Sequence, residues 1–269
     1  MQVRQISLVV CAHADPEPAI GLAAALASPS EAFVHAVCLY REPEPVIVDS
    51  FAMGAAGIEA AIAHRDDAVA RLVMPAQRSF ADRFAPERSS WRTAEIVQWC
   101  DVVAGWPATA DLVVLAAAER DRDMRRVTER LVFSAGAPCL IAPLAPKPFA
   151  AARIVVGWNG SREARRAVGD ALDLLRRATD VAIATVGDDR GWNTADLCAW
   201  LERHGVHAAV RHVSARGNAG HALVAAAEEF GADLLVMGAF SRSRAEERVL
   251  GGATRELICG ASAPILMSH

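Results

Sequence analysis

No uninterrupted apolar run in this chain of 269 residues is long enough to cross a bilayer. The stretch "DLVVLAAAE" (111–119) is about as long as such runs get. The opening, "MQVRQISLVVCAHADPE", lacks the basic start, long apolar middle and small-residue cleavage site of a signal peptide. The expectation is a soluble cytoplasmic protein with no membrane partner. Closely spaced cysteines are also missing. Cys11, Cys38, Cys100, Cys139, Cys198 and Cys259 are scattered through apolar contexts with no C-x-x-C pair. That argues against zinc and redox motifs and for buried, reduced thiols. There is no excess of either charge: the net charge is −4 and the pI about 6.1. Nucleic acid is therefore not an expected partner.

The common catalytic and phosphate motifs are absent as well. There is no G-x-x-x-x-G-K-[ST] and no G-x-G-x-x-G. Without a G-x-S-x-G elbow, Ser161, Ser243 and Thr254 are not read as nucleophiles, and no catalytic residue is expected. His204 and His207 form an H-x-x-H pair, but Gly205 should break the helix between them. No carboxylate or cysteine completes a set, so no metal site is expected. His13 and Asp15 follow the first strand-like run and read as a turn.

What is present points to a packed core. Apolar residues make up 53% of the chain and charged residues 22%. Two halves share one plan. "ADLVVLAAAERDRDMRRVTERLVFSAGAPCLIAPL" (110–144) matches "ADLLVMGAFSRSRAEERVLGGATRELICGASAPILMSH" (232–269) in its Ala-Asp, strand, charged loop, helix and Ala-Pro strand. The second copy is four residues longer between Asp233 and Pro264 than the first between Asp111 and Pro138. "ISLVVCAHADPEPAIGLAAALA" (6–27) likewise matches "RIVVGWNGSREARRAVGDALDLLRRA" (153–178). Second strands follow at 32–40 and 180–188, and the proline-rich "APLAPKPFAA" (142–151) links the halves.

Apolar strands alternating with helical patterns are the signature of parallel sheets covered on both faces. The sequence therefore predicts an α/β protein of two tandem, doubly wound, five-stranded, Rossmann-like domains, residues 1–146 and 151–269. The halves differ at 49–84, a long helical segment containing Pro75, whose counterpart at 192–205 is far shorter.

Ligands of such sheets bind beyond the carboxyl ends of strands, where strand order reverses. In the second half this selects "GWNGS" (157–161) and "VMGAFSRSRAEERVLGGATREL" (236–257). The candidate cofactor-binding residues are Trp158, Asn159, Gly160, Ser161 and Val186 on one side. On the other they are Gly238, Ser241, Arg242, Ser243, Gly251, Gly252 and Thr254. Glycines let the backbone approach phosphate, helix-opening amides donate to it, and arginines neutralise it. A solvated helix entrance explains Arg242 and Arg244 equally well. The first half's loop, "AAAERDRDMRRVTERL" (116–131), has no glycine, and Glu119, Asp121 and Asp123 would repel phosphate there.

These residues carry a resemblance. The second half resembles a universal stress protein domain, and the whole chain resembles the tandem type of that family. Its nucleotide-binding members have glycine, two residues, glycine, nine residues, glycine, then serine or threonine. Here Gly238 and Gly251 fit and the nine-residue spacing is kept. Ser241 stands at the second glycine and Gly252 at the hydroxyl position. Asn159 stands where binders commonly have an aspartate.

The resemblance implies an adenine nucleotide alpha hydrolase-like fold and a stress-response role. It also implies ATP or AMP with Mg as a regulatory ligand of the C-terminal domain, with hydrolysis slow if it occurs. A left-handed backbone at Ser241 would cost about 1–2 kcal/mol, and the hydroxyl missing at Gly252 roughly 1.5–3 kcal/mol. A non-nucleotide-binding interaction module of the same fold is the competing reading. The family's final-strand pairing implies an intrachain pseudo-dimer through residues 139–143 and 265–268. Whether two chains also form a homodimer, and which protein partner binds, stays open.

Overall fold

The computed structural model describes residues 3–43, 50–96, 109–118, 121–187, 193–214, 218–239 and 257–269. In the first half β1 (Gln5–Cys11), α1 (Glu17–Ser30), β2 (Phe33–Tyr40), α2 (Ser50–Ala81) and β3 (Ser89–Glu95) follow one another. Then come β4 (Leu112–Leu115), α3 (Arg122–Ser134) and β5 (Cys139–Ile141). The second half opens with β6 (Arg153–Gly157), α4 (Arg162–Asp170), the short α5 (Leu172–Leu175), β7 (Asp180–Val186) and α6 (Thr194–Arg203). It closes with β8 (Ala208–Val213), α7 (Ala219–Phe230), β9 (Leu234–Gly238) and β10 (Ile265–Ser268).

The ten strands of the described residues join one sheet, in the order β3-β2-β1-β4-β5-β10-β9-β6-β7-β8. Each half repeats the same order, and every pairing within a half is parallel. Only the seam differs. There β5 and β10 run antiparallel, with Leu140 opposite Leu266, Ile141 opposite Ile265 and Cys139 opposite Met267. The pairing expected from 139–143 and 265–268 is thus made within one chain. Neither inner edge is left as an open template.

The strict alternation of side chains along the strands splits the interior into two cores. One face carries Ile6, Leu8, Val114, Leu140, Leu266, Val236, Ile154 and Val156. It is covered by α1, the last turns of α2, α4 and α6, through residues such as Ile20, Phe80, Ala167 and Leu201. The other face carries Val9, Val113, Ile141, Met267, Leu235 and Val155 beneath α3 and α7. Both cores run across the seam, so the halves share their hydrophobic interior. The linker is short and ends on the buried Ala151, whose φ is +49°.

Local signals explain the element ends. Asn218 accepts a hydrogen bond from the Gly220 amide and caps α7, and Gly205, with φ +77°, closes the turn after α6. α2 spans 32 residues with Pro75 inside it, and the helix continues past the proline to Ala81. Val73, Ala76 and Phe80 are the buried anchors of that last stretch. Among the described residues no helix is long and apolar enough to cross a membrane. Cys11, Cys38 and Cys139 are buried thiols outside any disulfide, and Cys198 and Cys259 are half-buried thiols outside any disulfide. Cys100 lies outside the described residues.

The repeated Ala-Asp has a physical reason. The Asp111 carboxylate accepts hydrogen bonds from the Arg4 and Gln5 amides at 2.8 and 2.9 Å, fixing the start of β1. Asp233 does the same for Ala152 and Arg153 at the start of β6, again at 2.8 and 2.9 Å. Each carboxylate thus ties its half's first strand to the strand beside it. Asp111→Ala and Asp233→Ala are each expected to cost about 1.5 kcal/mol. Because the sites share no partner, urea unfolding of the double variant should show nearly additive losses.

Candidate functional site

The second half's switch point lies where β6 has β7 on one side and β9 on the other. Gly157, the last residue of β6, pairs with Ala184 of β7 and with Met237 of β9. Beyond it the Trp158 amide donates to the Ala184 carbonyl at 2.9 Å, and the chain then turns. Gly160 makes that turn with φ +71°. The Ser161 amide donates to Asn159 Oδ1 at 3.1 Å, and Ser161 Oγ accepts from the Ala164 amide at 3.1 Å. Ser161 is therefore the N-cap of α4.

Gly238 lies directly under this helix start. A Cβ placed on it would sit 2.3 Å from the Ala164 nitrogen and 2.5 Å from the Glu163 carbonyl carbon. The glycine is what allows α4 to lie on the end of β9. The structure thus brings Gly238 and Ser161 together at the amino end of α4, with Asn159 and Gly160 exposed beside them. Trp158 is placed differently. Its side chain is only 8% exposed and belongs to the core. Val186 ends β7 half-buried, followed by Gly187 with φ +85°. Ser241, Arg242, Ser243, Gly251, Gly252 and Thr254 lie outside the described residues.

The edges of the site are structural. Glu163 is buried and held by its neighbour Arg162 at 2.9 Å. Thr185, fully buried, has its hydroxyl 3.0 Å from His212 Nδ1 on β8. Away from the site, the His204 ring packs at a tilt against Trp200, with ring centroids 4.3 Å apart, and lies 3.0 Å from Arg176. Among the described residues no group of three or more histidines, cysteines or acids could hold a metal ion.

The equivalent place in the first half is filled by the protein itself. Asp121 caps α3, its carboxylate accepting from the Asp123 and Met124 amides at 2.9 and 3.1 Å. Arg41, which follows β2, reaches Asp121 at 2.5 Å and Asp123 at 3.2 Å. The Arg41 amide in turn donates to His13 Nε2 at 3.0 Å. Burial raises the Asp121 pKa, but the helix amides and the Arg41 guanidinium outweigh it, and the net shift is downward. Arg41 shifts up for the same reason, led by its hydrogen bond to Asp121. Asp121, one of the acidic residues that the sequence marks as repelling phosphate, thus occupies the amides a phosphate would use. The cap was readable from "RDRDM", an aspartate just before a helical pattern; the pairing with Arg41, 80 residues away, was not.

Residues 194–269 match the Universal stress protein family model. The C-terminal region is a universal stress protein domain. Solved structures extend the likeness in fold to nearly the whole chain. A universal stress protein from Archaeoglobus fulgidus DSM 4304 has TM-score 0.60 at 13% identity, covering 97% of this chain and 95% of its own. A functionally unknown protein from Pseudomonas aeruginosa PAO1 has TM-score 0.60 at 13% identity, covering 99% of this chain and 92% of its own. At that identity the likeness is one of fold. A universal stress protein solved in complex with cAMP aligns with 44% of this chain and 95% of its own, at 27% identity and TM-score 0.37. No curated protein matches the chain.

Proposed function

We propose that this chain is a tandem universal stress protein, with units 1–146 and 151–269, acting in the cytoplasm. Its second unit holds ATP or AMP with Mg as a regulatory ligand. The observation that carries this reading is the switch point: parallel β6 and β9 end side by side, with an exposed turn at Asn159–Gly160 and the glycine loop leaving from Gly238. An adenine nucleotide there would meet the Asn159 turn on one side and the 238–252 loop on the other. Arg242 and Thr254 would supply charge and a hydroxyl to phosphate oxygens.

One observation favours the second reading, an interaction module of the same fold that takes no nucleotide. Asn159 Oδ1 and Ser161 Oγ, the polar groups nearest the turn, already accept hydrogen bonds from this chain's own amides. Gly238 also has a packing role that needs no ligand. Isothermal titration decides between them. Mg-ATP and AMP are expected to bind the full-length chain, with Arg242→Glu weakening Mg-ATP by about tenfold. No heat and no thermal shift with either nucleotide at millimolar concentration would leave the interaction module as the reading.

A further inference from the structure

A cavity lies away from the switch point, over the seam between the halves. It holds about 620 Å³, within the range of small-ligand sites, which often form between domains. Leu140 and Leu266, opposed across β5 and β10, close its floor. Leu26 and Pro29 of α1 form one wall, Leu174 of α5 the other, and Phe149 of the linker one end. Leu26, Leu174 and Phe149 are half-buried, so apolar surface is open to water along both walls. The linker reaches this place through a strained backbone. Ala151 is held at φ +49°, a region alanine avoids, and Phe149, Ala150 and Ala151 all line the cavity.

Charge is confined to one wall. The α1 side contributes Ala25, Leu26, Pro29 and Ser30, none of them charged. The opposite side contributes Asp170, Asp173, Arg176 and Arg177. Asp170 accepts from Ser268 Oγ at 2.8 Å and has Arg166 at 3.8 Å. Asp173 and Arg176 face each other at 3.6 Å, and Arg176 also binds the His204 carbonyl. Arg177 differs: its Nε donates to the Asp173 backbone carbonyl, and its guanidinium has no carboxylate partner among the described residues. One cation at the rim of an apolar groove is thus left to complement an anion.

We infer that this seam cavity is a second ligand site, taking a small apolar organic anion whose body lies between Leu26, Leu174 and Phe149 and whose acidic head meets Arg177. It is independent of the nucleotide proposal. It requires both halves and the linker, so it belongs to the tandem chain and not to either half.

The probe is anilinonaphthalene sulfonate, an apolar anion that fluoresces when desolvated, titrated into the full-length protein. Saturable one-site binding at micromolar concentration is expected, with Mg-ATP unable to displace it. Ala25→Trp, at an exposed position on the α1 wall, should fill the groove and lower the affinity at least about tenfold. Arg177→Glu should lower it about fivefold or more. Naphthalene-1-carboxylate should displace the probe where naphthalene-1-methanol at the same concentration does not. Both variants are to be shown to unfold in urea at the wild-type midpoint. Non-saturable fluorescence, binding unchanged by Ala25→Trp, or displacement by Mg-ATP would overturn the site. Binding unchanged by Arg177→Glu would overturn the anionic head.

Discussion

Gly238→Ala is expected to lower folding stability by about 3 kcal/mol or more, seen as a fall in the urea midpoint with an unchanged slope. The added Cβ would lie 2.3 Å from the Ala164 nitrogen, 2.5 Å from the Glu163 carbonyl carbon and 2.9 Å from the Ala164 Cα. These are backbone atoms, so no side-chain rotation relieves the clash. α4 would have to lift from β9, yet Ala164, Ala167 and Val168 anchor it in the core and Ser161 caps its start. The sequence assigns the same glycine to phosphate approach. The two roles separate in the ligand-free protein: the packing role predicts the full loss of stability with no nucleotide present. A variant as stable as the wild type that lost only nucleotide heat would show that the close approach of α4 is not what requires glycine there.

The architecture was legible because both of its signals lie in the residue pattern and need no knowledge of contacts. Continuous apolar strands alternating with helical periods gave the parallel α/β fold, and self-similarity gave the repetition. Gly205 read correctly because helix termination is decided within a few residues. The candidate site was legible in part. The strand ends and the Asn159–Ser161 turn follow from the fold.

Which way each side chain points does not follow. Trp158 sits in the turn's sequence but faces the core, because a residue one step past a buried strand can still satisfy the alternation on that face. The Ala-Asp repeat was visible, yet its reason was not. The amides of Arg4 and Ala152 lie 107 and 81 residues from the carboxylates that bind them. The same holds for Arg41: nothing near it in sequence announces that its partners are Asp121 and Asp123.

That last network supports a prediction with a pH signature. Asp121→Ala is expected to cost about 2 kcal/mol at neutral pH. Loss of the α3 cap contributes about 1 kcal/mol. The broken contact with Arg41 contributes up to about 1 kcal/mol more, discounted because Arg41 is 40% exposed. Asp121→Asn keeps a capping oxygen and removes only the charge, so it should lose about half as much. The folded protein holds the Asp121 pKa below its ordinary value, chiefly because the Met124 amide and Arg41 overcome the cost of burial. A group whose pKa is depressed on folding contributes fully above its unfolded pKa, and the contribution fades as pH falls through the folded value. The gap between wild type and Asp121→Ala should therefore stay constant near neutrality and narrow below about pH 4. Urea unfolding at pH 7 and at progressively lower pH reads it directly. A gap that stayed constant down to the acid limit would mean that Asp121 acts through shape alone. The first half would then be closed by a neutral cap, and not by the protein's own anion seated on the helix amides with Arg41 as its counter-ion.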